Sequence, residues 1–174
     1  VIGTEVRELE DQVAVHLSWL SFAGLERAVE LLLASKGYKE VRIVGCQNWR
    51  GRSNYGGIDI VARMEAQMTH SLVLVQVKQS GPVQRRFVDE LRGAMLRHGA
   101  SQGIIVSTGE FSRAALDSAQ MFPGRPVRLI SGKDLAPMFI RAGLGVRPKP
   151  LEPKCCPKLV LDELFFETID EAIR

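Results

Sequence analysis

The chain has 174 residues, 45% of them apolar and 25% charged, which is enough for one α/β domain with a proper core and a small appendage. No apolar run approaches the ~20 residues that span a bilayer, and no secretory signal pattern opens the sequence. The net charge of +3 is uneven: Lys154, Lys158 and Arg174 stand against Glu152, Asp162, Glu163, Glu167, Asp170 and Glu171, leaving residues 151–174 at −3 and residues 1–150 at +6, a balance that suits either a polyanionic partner such as nucleic acid or plain solvation.

Residues 5–20 have Val6, Leu9, Val13, Leu17 and Leu20 at helical spacing. Ser21 can cap a second helix with the stripe Phe22, Leu25, Val29, Leu32 and Leu33, closed by Gly37. YKEVRIVGC is a short β-branched strand, followed by the polar glycine-rich loop QNWRGRSNYGG. IDIVARM and SLVLVQVK are two further strands, joined through a turn around Glu65–His70 as a hairpin. After the Gly81-Pro82 break, VQRRFVDELRGAMLRHG is amphipathic, with Val83, Phe87, Leu91, Met95 and Leu96 on one face.

GIIVST reads as a central buried strand, FSRAALDSAQMF as a helix capped by Ser112, PVRLISG as a strand, and KDLAPMFIRAG as a helix bearing Pro137. This alternation implies parallel packing, hence a mixed sheet with helices on both faces. The boundaries are an N-terminal helix or linker at 1–20, the main domain at 21–145, a proline-rich linker at 146–158 and an acidic amphipathic helix at 159–174, whose Leu161, Leu164, Phe165 and Ile169 should bury. The chain opens on Val1 rather than Met and reads as trimmed, compatible with further domains. Cys46, Cys155 and Cys156 are an odd set with an adjacent pair, which argues for a reducing, cytoplasmic setting and against structural zinc. His16, His70 and His98 lack paired spacing for a metal.

Two places interrupt apolar strands with polar groups. In SLVLVQVKQS, Gln76 and Lys78 fall on one face with Leu72 and Leu74, at the end of the strand. In GGIDIVA, Asp59 sits between Ile58 and Ile60, and a buried carboxylate is costly unless it is paired or metal-bound. If these strands are antiparallel neighbours, an acid, an amide and an amine meet at one sheet end.

The order G-I-D, a spacer, then Q-V-K on the adjacent strand resembles the PD-(D/E)xK nuclease site, and more narrowly the Mrr-type restriction endonuclease catalytic domain, whose third motif is Q-x-K. Leu25-Glu26 before Gly37-Tyr38, Arg50-Gly51, Gly56-Gly57-Ile58-Asp59, the Gly103–Gly109 stretch with Phe111-Ser112, and Leu129–Gly132 with Leu135 extend the likeness over about residues 20–143. The resemblance implies a restriction-endonuclease-like α/β core of order α-β-β-β-α-β-α-β-α. It also implies a Mg²⁺-dependent endonuclease (Mn²⁺ serving as a substitute) that cuts double-stranded DNA as a homodimer.

On that reading Asp59 supplies the main carboxylate to the metal, Gln76 its side-chain oxygen, Val77 its backbone carbonyl, and Glu26 a second anionic ligand. Lys78 orients the attacking water and stabilises developing charge. Arg50, Arg52, Gln79, Ser107 and Thr108 are candidate DNA contacts, positioning the backbone without reading sequence. Plainer roles stand beside these: Asp59 held by amides of the Gly56-Gly57 turn, Lys78 snorkelling from a strand end, Gln76 satisfying a backbone group and Glu26 on a helix surface. The functional alternative is a catalytically silent DNA-binding or accessory domain that kept the fold, since a neutral Gln76 removes a charge from the metal site.

Overall fold

A computed structural model of the chain describes residues 2–45, 57–66, 69–79, 81–149 and 158–171. Its elements are α1 (Ile2–Trp19), α2 (Phe22–Ser35), β1 (Lys39–Ile43), β2 (Ile60–Ala66), β3 (Thr69–Lys78), α3 (Arg85–His98), β4 (Gln102–Ser107), α4 (Arg113–Gln120), β5 (Val127–Ile130), α5 (Gly132–Arg141), β6 (Val146–Pro148), β7 (Leu159–Leu161) and α6 (Glu163–Glu171).

The first five strands form one sheet in sequence order. β1–β2 and β2–β3 are antiparallel, β3–β4 and β4–β5 parallel. This is the mixed sheet the sequence predicts. Alternation along β3 explains its burial on both sides. Val73, Val75 and Val77 pack with α1, α2 and α5 residues such as Leu17, Leu25 and Phe139. Leu74 packs with Val88, Leu91 and Met95 of α3 and Ala115 of α4. Each fully buried side chain of this kind contributes roughly 1.5–3 kcal/mol of apolar transfer. β3 is therefore the central strand, and whatever its end carries is held rigidly.

Local signals act as expected in α2. Ser21 Oγ accepts the Gly24 N–H at 3.0 Å, the predicted N-cap. Ser112 Oγ likewise accepts the Ala115 N–H at 3.2 Å at the start of α4. Edge strand β1 carries an irregular register between Lys39 and Arg42, with Glu40 at φ 47, so the strand twists out of regular pairing there.

Several sequence expectations are corrected. Of the two readings of the N-terminal segment, the helix is the one observed: α1 runs Ile2–Trp19, and its Val13 and Leu17 lie in the core. Val6 and Phe22 lie largely in solvent, because their stripes overshoot the ends of the packed surface. α3 starts at Arg85, not Val83, which bridges to Phe111 instead. Leu96 is exposed and Val88 takes the core position. The start of the expected proline-rich linker is β6, paired antiparallel with β7 (Val146 with Leu161), so the terminal helix begins only at Glu163. In α6, Phe166 and Ile169 bury while Leu164 is exposed, since the short strand resets the helix phase. The cysteines lie outside the described residues.

Candidate active site

The polar interruptions meet at one end of the sheet, where β2 begins and β3 ends. Asp59 immediately precedes β2. Its N–H donates to Val75 O at 3.0 Å, and its carbonyl accepts from Val44 N–H at 2.7 Å and Gly45 N–H at 3.2 Å. Its main chain is thus fixed from β3 on one side and from the end of β1 on the other. Asp59 Oδ2 accepts the Val77 N–H at 2.6 Å. Among the described residues the amide that holds this carboxylate comes from β3; Gly56, the first residue of the expected glycine turn, lies outside them.

Asp59 Oδ1 faces Glu26 across Gly45. A Cβ at Gly45 would lie 3.0 Å from Glu26 Oε1 and 3.2 Å from Asp59 Oδ1. The two carboxylates therefore converge on one small space that a glycine leaves open. Glu26 stands in the second turn of α2 and is only 1% exposed, which rules out the solvated-surface reading. Burial raises the Asp59 pKa above its ordinary 3.8, against the Val77 hydrogen bond and the positive charge of Lys78. Desolvation prevails because the site offers the carboxylate less stabilisation than water would.

Gln76 is 4% exposed. Its Nε2 donates to Gly57 O at 2.8 Å, so its amide does satisfy a backbone group. That bond turns Oε1 the other way, and Oε1 is a buried acceptor with no hydrogen-bond donor among the described residues. An unsatisfied buried carbonyl costs about 1–3 kcal/mol and calls for an explanation. Lys78, two residues on, is half-buried, with Nζ 4.8 Å from the centre of the Phe87 ring. The aromatic face steadies the ammonium near Asp59.

The donor set is all oxygen: two carboxylates, one amide carbonyl and adjacent backbone. That is the chemistry hard cations such as Mg²⁺ prefer. Among the described residues no three His, Cys, Asp or Glu side chains gather. Gly45 and Phe87 belong to the site although no motif marks them. Their only sequence signal is adjacency, Gly45 to the end of β1 and Phe87 to the first turn of α3.

A sequence profile of the restriction endonuclease family, for the Mrr catalytic domain, matches residues 17–139. The chain belongs to this family. No curated protein matches it. Among solved structures, the DNA modification-dependent restriction endonuclease AspBHI aligns with TM-score 0.59 and 19% identity over 80% of this chain and 36% of that one. The MspJI restriction endonuclease in complex with a 27-mer oligonucleotide aligns with TM-score 0.47 and 26% identity over 75% of this chain and 28% of that one. The chain thus spans about a third of the length of these larger structures. The AspBHI likeness establishes the restriction-endonuclease-like fold, and the family supports a DNA nuclease of restriction type.

Within this restriction endonuclease domain the candidate DNA contacts divide. Gln79 turns inward: its Nε2 donates to Leu20 O and, at 3.5 Å, to Ser18 O. Ser107 is fully buried and its Oγ accepts the Gly109 N–H at 3.1 Å, so it shapes a turn and is shielded from a phosphate. Ser107 is corrected to a structural role, its hydroxyl consumed by the loop that leaves its strand, and the Gln79 amide is spent on the α1–α2 corner. Thr108 stays at the sheet end, half-buried, its N–H donating to Lys78 O at 3.2 Å. Arg50 and Arg52 lie outside the described residues. Arg85 pairs with Asp89 at 3.1 Å, and the Arg86 guanidinium lies 4.7 Å from the centre of the Phe87 ring. Among the described residues no helix is long and apolar enough to cross a membrane.

Proposed function

We propose that this domain is a Mg²⁺-dependent endonuclease that hydrolyses phosphodiester bonds of double-stranded DNA, related to modification-dependent restriction enzymes. The observation that carries it is the convergence of Glu26 and Asp59 on the space beside Gly45, with the positive charge of Lys78 acting on Asp59. Oxygen donors gathered in a buried space suit a hard divalent cation, whose charge offsets the cost of burying the Asp59 carboxylate and whose shell takes up the Gln76 oxygen.

Asp59 and Glu26 would hold such a cation, with Gln76 Oε1 and the backbone of Val77 as neutral oxygen donors. When bound, Mg²⁺ supplies Lewis acidity toward a phosphate oxygen and lowers the pKa of water. The protein's own contribution follows from its geometry. Lys78 holds the attacking water in line with the scissile bond and donates hydrogen bonds to the developing negative charge, in a partly dry setting where that charge counts for more. Val77 N–H fixes the Asp59 carboxylate, which stops it rotating away. The Gly57 carbonyl fixes the Gln76 amide, whose Oε1 stays buried without a donor among the described residues. Two strands need two cuts, so the acting unit is a pair of such domains.

The silent-domain alternative makes the opposite prediction at one step. Supercoiled plasmid is incubated with Mg²⁺ or Mn²⁺ and wild type, Asp59→Ala or Lys78→Ala. The nuclease reading requires nicking by wild type and its loss, on the order of 10³-fold, in both variants. DNA binding with no nicking at any cation concentration defeats it.

A further inference from the structure

We infer that the C-terminal helix is part of the active-site framework, and that Asp170 and Gln79 are positioning residues that fix the helix carrying Glu26. This rests on the proposed role of Glu26, and it concerns residue 170, outside the family match at 17–139.

The α1–α2 corner is gripped from two sides. From α6, Asp170 Oδ1 accepts the Ser21 Oγ–H at 2.6 Å and the Ser21 N–H at 3.1 Å. Ser21 Oγ in turn accepts the Gly24 N–H at 3.0 Å. A carboxylate therefore completes the N-cap of α2, where the helix dipole favours an anion. From β3, Gln79, the residue after Lys78, donates its side-chain amide to the carbonyls of Leu20 and Ser18. The corner between these grips leads directly into the turn that presents Glu26. One grip originates beside the lysine and the other from the tail, so together they set the separation of Glu26 from Asp59 and Lys78.

The packing of α6 makes this a specific arrangement. Phe166 and Ile169 are buried in the same core as Leu25 and Val29 of α2. A Cβ on Gly24 would come within 2.1 Å of Asp170 Oδ1. Residue 24 stands in the first turn of α2, inside a helix where alanine is ordinarily preferred to glycine. Glycine there fits the need for Asp170 to reach the cap.

The test uses the whole chain and Mn²⁺ as probe. Mn²⁺ affinity is measured by titration calorimetry at 20 °C, and amide hydrogen exchange across residues 22–26 by mass spectrometry. The variants are Asp170→Ala, Asp170→Asn, Gly24→Ala and Gln79→Ala, with Glu167→Ala on the exposed side of α6 as control. Asp170→Ala, Gly24→Ala and Gln79→Ala should each weaken Mn²⁺ binding roughly tenfold, as loss of a supporting contact does, and the first two should speed exchange at the start of α2. Asp170→Asn keeps an oxygen acceptor and should recover part of the loss; Glu167→Ala should match wild type. A merely stabilising tail lowers Tm in Asp170→Ala but leaves Mn²⁺ affinity of the folded protein and the exchange of residues 22–26 unchanged, and that result overturns the inference. Should wild type bind no Mn²⁺, the metal reading fails, and exchange at residues 22–26 alone decides whether Asp170 holds the corner.

Discussion

The domain buries polar groups in two places, and it treats them differently. Between α3 and α4, Arg92 is 8% exposed, with Nη2 donating to Ser118 O at 2.7 Å, Nη1 3.3 Å from Asp89 Oδ1 and its guanidinium 4.7 Å from the Phe122 ring centre. Ser118 Oγ donates to Asp89 at 2.8 Å. That hydroxyl, helped by Arg85 and Arg92, holds the Asp89 carboxyl below its ordinary value. Opposite charges and donors close the cluster on itself, leaving only Arg92 Nε without a partner. At the sheet end the balance runs the other way. Like charges converge, a carbonyl oxygen lacks a donor and burial pushes the Asp59 carboxyl up. A structural cluster spends its donors and charges on one another; at the sheet end two carboxylates face one space beside Gly45, with the positive charge of Lys78 acting on Asp59.

The strongest way to break this contrast is Arg92→Ala. Arg92 is buried but its Asp89 partner is exposed, so its removal chiefly leaves the Ser118 carbonyl without a donor and should cost about 1–3 kcal/mol of unfolding free energy, read by urea denaturation, with Mn²⁺ affinity of the folded fraction unchanged. A loss below about 0.5 kcal/mol would show that the α3–α4 cluster is ornamental.

Glu26→Gln should do the reverse. It relieves repulsion, so Tm without divalent cation should hold or rise, while Mn²⁺ affinity drops by roughly 100-fold. Equal affinity in calorimetry would remove Glu26 from the site. Gln76→Glu sharpens the comparison further by adding a third carboxylate. Without cation it should lower stability by about 1–2 kcal/mol, and millimolar Mn²⁺ should restore it. A Tm indifferent to Mn²⁺ would mean the space between the acids holds no cation.

The smallest effect concerns pH. Because the folded Asp59 pKa is raised, the folded state binds the proton more tightly than the unfolded chain does. The stabilising contribution of this group is full below the ordinary 3.8 and declines as pH rises through the raised folded value. Asp59→Asn should remove that decline and raise the metal-free Tm at pH 7 by roughly 2–4 °C. Thermal scans from pH 4 to 8 check it; a lower Tm at pH 7 would mean that the Val77 and Lys78 interactions outweigh desolvation.

Much of this was legible in the residues. A continuous apolar run marked β3 as a buried strand, and that made Gln76 and Lys78 conspicuous at its end. Ser21, Ser112 and Gly37 marked helix ends through local hydrogen bonding and backbone geometry, which need no distant partner. Asp59 stood out because an acid within an apolar strand has to be accounted for. Other features depended on chain segments far apart. No local pattern shows that Gly45 is the open wall between Asp59 and Glu26, that the Val77 amide holds Asp59, or that Gln79 and Ser107 are consumed by turns rather than offered to DNA. The tail was misjudged for the same reason: helical periodicity in residues 159–174 conceals a strand paired with Val146–Pro148 and a carboxylate that caps α2. Sequence sets which side chains are apolar, which are charged and how each stretch prefers to fold. Only the packed structure decides which charges share a space, because that turns on distances between elements that local propensity does not encode.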